Sequence, residues 1–199
     1  DSDPNHSLLG EAPKNWIENW LRPDNEGFYR IRDPFQAILK FNPAYPSGMV
    51  FKRDTYLKMG GFKEKYSRWI GEDSEFTRRF SSLAKVNFVG DSSITWGYRR
   101  HGGNYSNIQW KNINAKADIL SEHLRGKVVP SHYVKDAEAE MNRTRVRAFD
   151  QAFWEKNFLA VKSLYTFVPK ECKTVKHRAK YWLSSFYCGL NAVMKKSPK

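Results

Sequence analysis

Six of the nine prolines, Pro4, Pro13, Pro23, Pro34, Pro43 and Pro46, fall within the first 46 residues. Proline fixes φ and removes an amide donor, so this stretch can hold only short elements. The spacing predicts a short helix at Asn15 to Leu21, an extended piece at Phe28 to Ile31, and a helix from Pro34 to Phe41. Pro34 suits the first helical turn, and Asp33 suits its cap. A chain of 199 residues has room for one full core, or one core with a helical appendage.

Beyond Pro46 the punctuation thins and apolar patterning takes over. Ser47 to Lys52 is a compact apolar run that predicts a buried strand, after which Asp54 caps a short helix ending at Gly60-Gly61. Glu72 to Leu83 predicts an amphipathic helix, with Phe76, Phe80 and Leu83 on one face and Arg78 and Arg79 on the other. Val86 to Val89 and Ser93 to Tyr98 predict two short strands around Gly90-Asp91, followed by a polar loop from Arg99 to Asn107. After Trp110 the period becomes helical. Helices are expected near Trp110 to Leu124, Tyr133 to Glu155, Phe158 to Phe167 and Val175 to Met194, the last three as a helix-hairpin stack.

Charge divides at the same place. Residues 1–110 hold 16 Lys and Arg against 13 Asp and Glu, while residues 111–199 hold 18 against 8. A basic second half beside a nearly balanced first half suggests a polyanionic partner for the second half alone, an anionic membrane surface or nucleic acid. No run approaches the ~18–20 apolar residues of a spanning helix, so the chain is expected to be cytoplasmic, and peripheral if it meets a membrane. The two cysteines, Cys172 and Cys188, fit a reduced compartment, and no Cys or His pairs stand at zinc spacing.

The ordered motifs P-S-G-M-V-F-K-R from Pro46, G-G-F-K-E from Gly60, G-E-D-S-E-F from Gly71 and W-G-Y-R-R-H-G-G-N from Trp96 carry the chemistry. Together, over about Pro46 to Asn107, they resemble the second half of family 2 glycosyltransferase domains of the GT-A type. The resemblance implies an α/β fold: a partial GT-A mixed sheet in residues 1–110, the acceptor-side half, with a basic helical extension in residues 111–199. It also implies sugar transfer with inversion from a nucleotide-sugar donor to a glycan, lipid-linked or protein acceptor. The donor-binding half is not read in this sequence, which is then either a fragment of a longer protein or a chain unable to bind donor alone. Lys63 departs from the family, which has Asp there.

An attacking sugar hydroxyl must lose its proton as the new bond forms, so the reaction needs a carboxylate near it. The resemblance assigns that base to Asp73, with Glu72 positioning the acceptor or the backbone. The plain alternative is that Glu72, Asp73 and Glu75 complement a helix N-terminus. The resemblance also places Arg99, Arg100 and His101 at the donor diphosphate, with His101 contacting a divalent cation, Mg or Mn; an ordinary solvated loop is the alternative. Trp69 can stack on an acceptor sugar or pack in a core. Asp1 and Asp3 have the Asp-x-Asp spacing of a metal motif, but no strand precedes them, and a polar terminus suits them better.

Val175, Ala179, Trp182, Leu183, Phe186, Leu190, Val193 and Met194 fall on one helical face, and Lys176, Arg178 and Lys180 lie mostly off it. That stripe is expected to pack on the preceding helix; a membrane interface is the other use of such a face. Two rival functions remain. A basic module binding nucleic acid or an anionic membrane explains the charge but leaves the ordered motifs without a role, and a non-catalytic glycosyltransferase-like scaffold keeps the motifs without the reaction.

Overall fold

The computed structural model describes residues 12–24, 28–44, 46–66, 71–83, 89–90 and 108–194. Helix α1 (Lys14–Trp20) runs into strand β1 (Leu21–Pro23), which pairs antiparallel with β2 (Tyr29–Ile31). Strand β3 (Val89–Gly90) pairs with the other edge of β2, giving the order β1-β2-β3. Helix α2 (Pro34–Lys40) follows β2, and Asp33 caps it as expected: its Oδ1 accepts from the Gln36 amide at 3.3 Å. Trp16 ties α1 to α2 by donating its indole N–H to the Ala37 carbonyl, 2.8 Å away in the interior.

The strand expected at Ser47 to Lys52 does not form. Pro46–Gly48 make a 3-10 turn, no strand follows before α3 (Arg53–Lys58), and Val50 is fully exposed. An apolar run becomes a strand only where a partner offers ladder hydrogen bonds, and the described strands pair among themselves. Asp54 lies in the first turn of α3, whose cap position is Lys52, so Asp54 is not the cap. At the far end Gly60 and Gly61 both have positive φ, as a tight exit from a helix requires. Any Cβ at Gly61 would also stand 2.7 Å from the Tyr56 hydroxyl.

Helix α4 (Glu72–Ser81) was expected to show an arginine face to water, but Ser74, Glu75, Phe76, Thr77, Arg78 and Ser81 are all buried. Its Phe76 sits among Phe51, Tyr56, Phe62 and Phe80, with ring centroids 4.6–5.8 Å away. Helix α2 packs on α4, and α4 in turn packs on α5 (Gln109–Arg125).

The helices after residue 108 follow the sequence pattern closely. Helix α5 lies along α6 (Val134–Trp154), and α7 (Phe158–Tyr165) and α8 (Val175–Met194) fold back in turn. One apolar core joins Ala148, Phe149, Ala152, Val161 and Leu164; a second joins Phe35 and Leu39 of α2 to Leu120 and Ala137. The described residues are therefore mostly helical with a small sheet, consistent with a partial glycosyltransferase-like domain.

Candidate functional site

The site is built at the start of α4. Four amides at a helix N-terminus lack intrahelical acceptors, and a carboxylate placed there satisfies some of them and meets the positive end of the dipole. Glu72 turns back, its Oε2 accepting from the Gly71 amide at 3.1 Å. Asp73 accepts from the Ser74 amide through Oδ1, while Thr77 donates its hydroxyl to the Asp73 carbonyl one turn on. Both side chains are half-buried. Burial pushes the Asp73 carboxyl above its ordinary range, and the Glu72 charge adds to this. The Ser74 amide and Lys116 of α5 pull it partly back. A carboxylate whose proton affinity is raised in this way suits general-base work.

Beneath this pair lies a charged layer that fixes the helix. Glu75, with no exposed surface, takes Arg79 Nε at 2.8 Å and Nη2 at 2.9 Å, Lys63 Nζ at 3.2 Å and His123 Nε2 at 3.2 Å. Burial alone would raise this carboxyl, but the bonds from His123, Arg79 and Lys63 reverse the effect and hold it far below the usual carboxylate range. Arg79 also donates to the Met59 carbonyl and, at 2.6 Å, to the Gly61 carbonyl, so α4 is pinned to the turn leaving α3. Lys63 is thus a partner of the buried acid.

His123 is pushed below its ordinary range, chiefly by burial, and its Nδ1 has no hydrogen-bond partner. That combination fits a neutral ring donating from Nε2 to Glu75. Arg78 is also buried; desolvation lowers it to about 10, against support from Glu140, Asp73 and Glu75. Its Nε and Nη1 are buried without a hydrogen bond. Lys116 is lowered mainly by its dense surroundings, with the Asp73 charge acting the other way. It keeps an exposed surface, so water tempers that shift.

Of the residues singled out by sequence, Asp73 and Glu72 stand together at the head of α4, as expected. Trp69, Arg99, Arg100 and His101, and with them Asp1 and Asp3, lie outside the described residues. Among the described residues, no group of three or more His, Cys, Asp or Glu could hold a metal ion. Sequence reasoning missed Glu75 as an organising residue, together with Arg78, Lys116 and His123. The i,i+4 spacing of Glu75 and Arg79 was the one local signal available; Lys63 and His123 reach Glu75 only through the tertiary fold.

Residues 28–90 match the family model described as the N-terminal domain of galactosyltransferase. The match takes in β2, α2, α3 and α4 with the Glu72-Asp73 pair, and stops before Arg99, Arg100 and His101. It supports glycosyl transfer in general. No curated protein and no solved structure matches the chain.

Proposed function

We propose that the chain carries the acceptor-side part of a nucleotide-sugar-dependent glycosyltransferase, and that Asp73 is its catalytic base. The carrying observation is the half-buried Asp73 carboxyl at the N-terminus of α4, held above its ordinary range by burial and lying within the segment that matches a galactosyltransferase domain. In the reaction, the acceptor hydroxyl oxygen attacks the anomeric carbon of the donor as Asp73 takes its proton. The bond from that carbon to the diphosphate breaks, the nucleoside diphosphate leaves with the electron pair, and one displacement inverts the anomeric configuration. Glu72, bonded to the Gly71 amide, steadies the turn that presents Asp73.

Residues 1–110 form the transferase part in this reading, and residues 111–199 a helical extension that backs α4 through α5. Arg99, Arg100 and His101 would serve the departing diphosphate and Trp69 the acceptor sugar, on the sequence resemblance alone. A divalent cation, Mg or Mn, contacted by His101, would join them at the diphosphate on the same resemblance.

Release of nucleoside diphosphate, measured with donor and with or without acceptor on the full-length protein, tests the proposal. Asp73→Asn keeps size and hydrogen bonding but removes the proton acceptor, so turnover falls by roughly 10²–10⁴-fold while donor affinity stays unchanged. Near-normal turnover in a folded variant reduces Asp73 to a helix-start charge.

A further inference from the structure

Helix α8 faces the opposite way from the packing expected of it. The side chains it turns inward are mostly polar: His177 and Ser184 are buried, and Lys180 Nζ meets Asp150 Oδ1 of α6 at 2.7 Å. Thr174 donates its amide to His177 Nδ1 at 3.1 Å, which satisfies the start of the helix. The apolar stripe is left outside, with Val175 80%, Trp182 70%, Leu183 46%, Phe186 63% and Leu190 44% exposed. These residues fall on one side of a 20-residue helix. A large apolar face turned to water on an otherwise packed helix marks a surface that something covers.

Charge identifies the occupant. Helix α8 holds no Asp or Glu, and Lys176 and Arg178 lie exposed beside the stripe. From Lys173 to Lys199 the sequence has seven Lys and Arg and no acid. A second copy of the chain could cover the stripe only by setting two α8 faces flanked by cations against each other, with no acid on either helix to offset the repulsion. Nucleic acid would satisfy the cations through its phosphates, but it leaves an aliphatic and aromatic stripe without a partner. An anionic lipid surface satisfies both, because Trp, Phe and Leu enter the acyl boundary while Lys and Arg stay among the headgroups. Among the described residues no helix is long and apolar enough to cross a membrane, so α8 would lie along the surface.

We infer that the outward face of α8, carried by Trp182, Leu183, Phe186 and Leu190, docks the protein on an anionic membrane interface. This inference is independent of the role given to Asp73. It predicts that the chain floats with phosphatidylglycerol–phosphatidylcholine vesicles, much less with phosphatidylcholine alone, and that its tryptophan emission shifts to the blue on binding. The deciding variant is Trp182→Lys with Phe186→Lys. It adds charge and removes the apolar face at two exposed positions, so the fold, checked by circular dichroism, should survive.

Retention on the anionic vesicles should fall about tenfold or more if the stripe enters the lipid. Unchanged or stronger retention overturns the inference, because binding by charge alone must rise with two added lysines. So does an absence of vesicle binding in the parent chain, whether it then binds a DNA duplex or sediments as a dimer that the variant dissociates.

Discussion

Around Phe149, helices α6 and α7 close on Ala148, Ala152, Val161 and Leu164, whereas around Glu75 helix α4 closes on a carboxylate held by Arg79, Lys63 and His123. The first arrangement draws its stability from apolar area removed from water, which is non-directional and nearly indifferent to pH. The second depends on each member of a buried set finding its partner, and so fixes the geometry of α4 more sharply than it adds to stability. That difference suits their places in the molecule. The apolar bundle needs only to hold, while α4 has to present Asp73 in one orientation.

The contrast can be broken most forcefully at its two centres. Phe149→Ala empties part of the helical core and should cost about 3–5 kcal/mol in denaturant unfolding, nearly unchanged between neutral and mildly acidic pH. Glu75→Ala should cost about 3 kcal/mol or more, because it strands Arg79 and Lys63 against a buried helix. Its cost should depend on pH. Glu75 is depressed in the folded state, so its contribution is complete above the ordinary carboxylate range and disappears as pH falls through and below that range. His123, also depressed, adds a loss in the same direction as pH drops through the ordinary histidine range, since the unfolded chain binds the proton more readily. Hydrogen exchange resolved by segment should therefore show α4 opening on acidification before α6 does. Equal pH sensitivity in the two helices would remove the distinction.

Smaller changes sharpen the boundary between the regions. Asp33 caps α2 and accepts from the hydroxyl of Tyr133, whose ring stacks on Phe35 at 5.2 Å. Asp33→Ala should cost about 1–2 kcal/mol. It should also bring the Tyr133 hydroxyl down from about 12, where burial and then the Asp33 bond hold it, a shift visible in the ultraviolet titration. At the low end, Val50→Ser should stay within about 0.5 kcal/mol of the parent, since Val50 is fully exposed. A loss of 2 kcal/mol or more would restore the buried strand expected there.

The helical half was readable because its signals are local. Four successive periods after Trp110 predict helices that the fold places within one or two residues of their observed ends, and Asp33 with Pro34 marks the start of α2 just as plainly. Partner-dependent features were not readable. The run from Ser47 to Lys52 has the composition of a strand but lacks a neighbour, and Arg78 has the look of a surface cation but is enclosed by α4's neighbours on several sides. Helix α8 shows the limit most clearly. Its apolar stripe was visible in sequence, but the direction it faces was decided by Lys180, which bonds to Asp150, by Ser184, which donates to the Lys180 carbonyl, and by His177, buried and accepting from the Thr174 amide. At the candidate site, the Glu72-Asp73 pair was legible from its motif. The layer that holds it was not, because Glu75 and His123 are 48 residues apart.

The most direct test of the central claim is the pH dependence of kcat/KM for glycosyl transfer by the full-length protein and by Asp73→Asn. If Asp73 is the base, it must be ionised to accept the acceptor's proton, so the rate should fall as pH drops through its pKa. Burial places that limb above the ordinary aspartate range. The variant should lose the limb along with roughly 10²–10⁴-fold of its rate. An acid limb that survives unshifted in Asp73→Asn would contradict the account and assign the proton to another group.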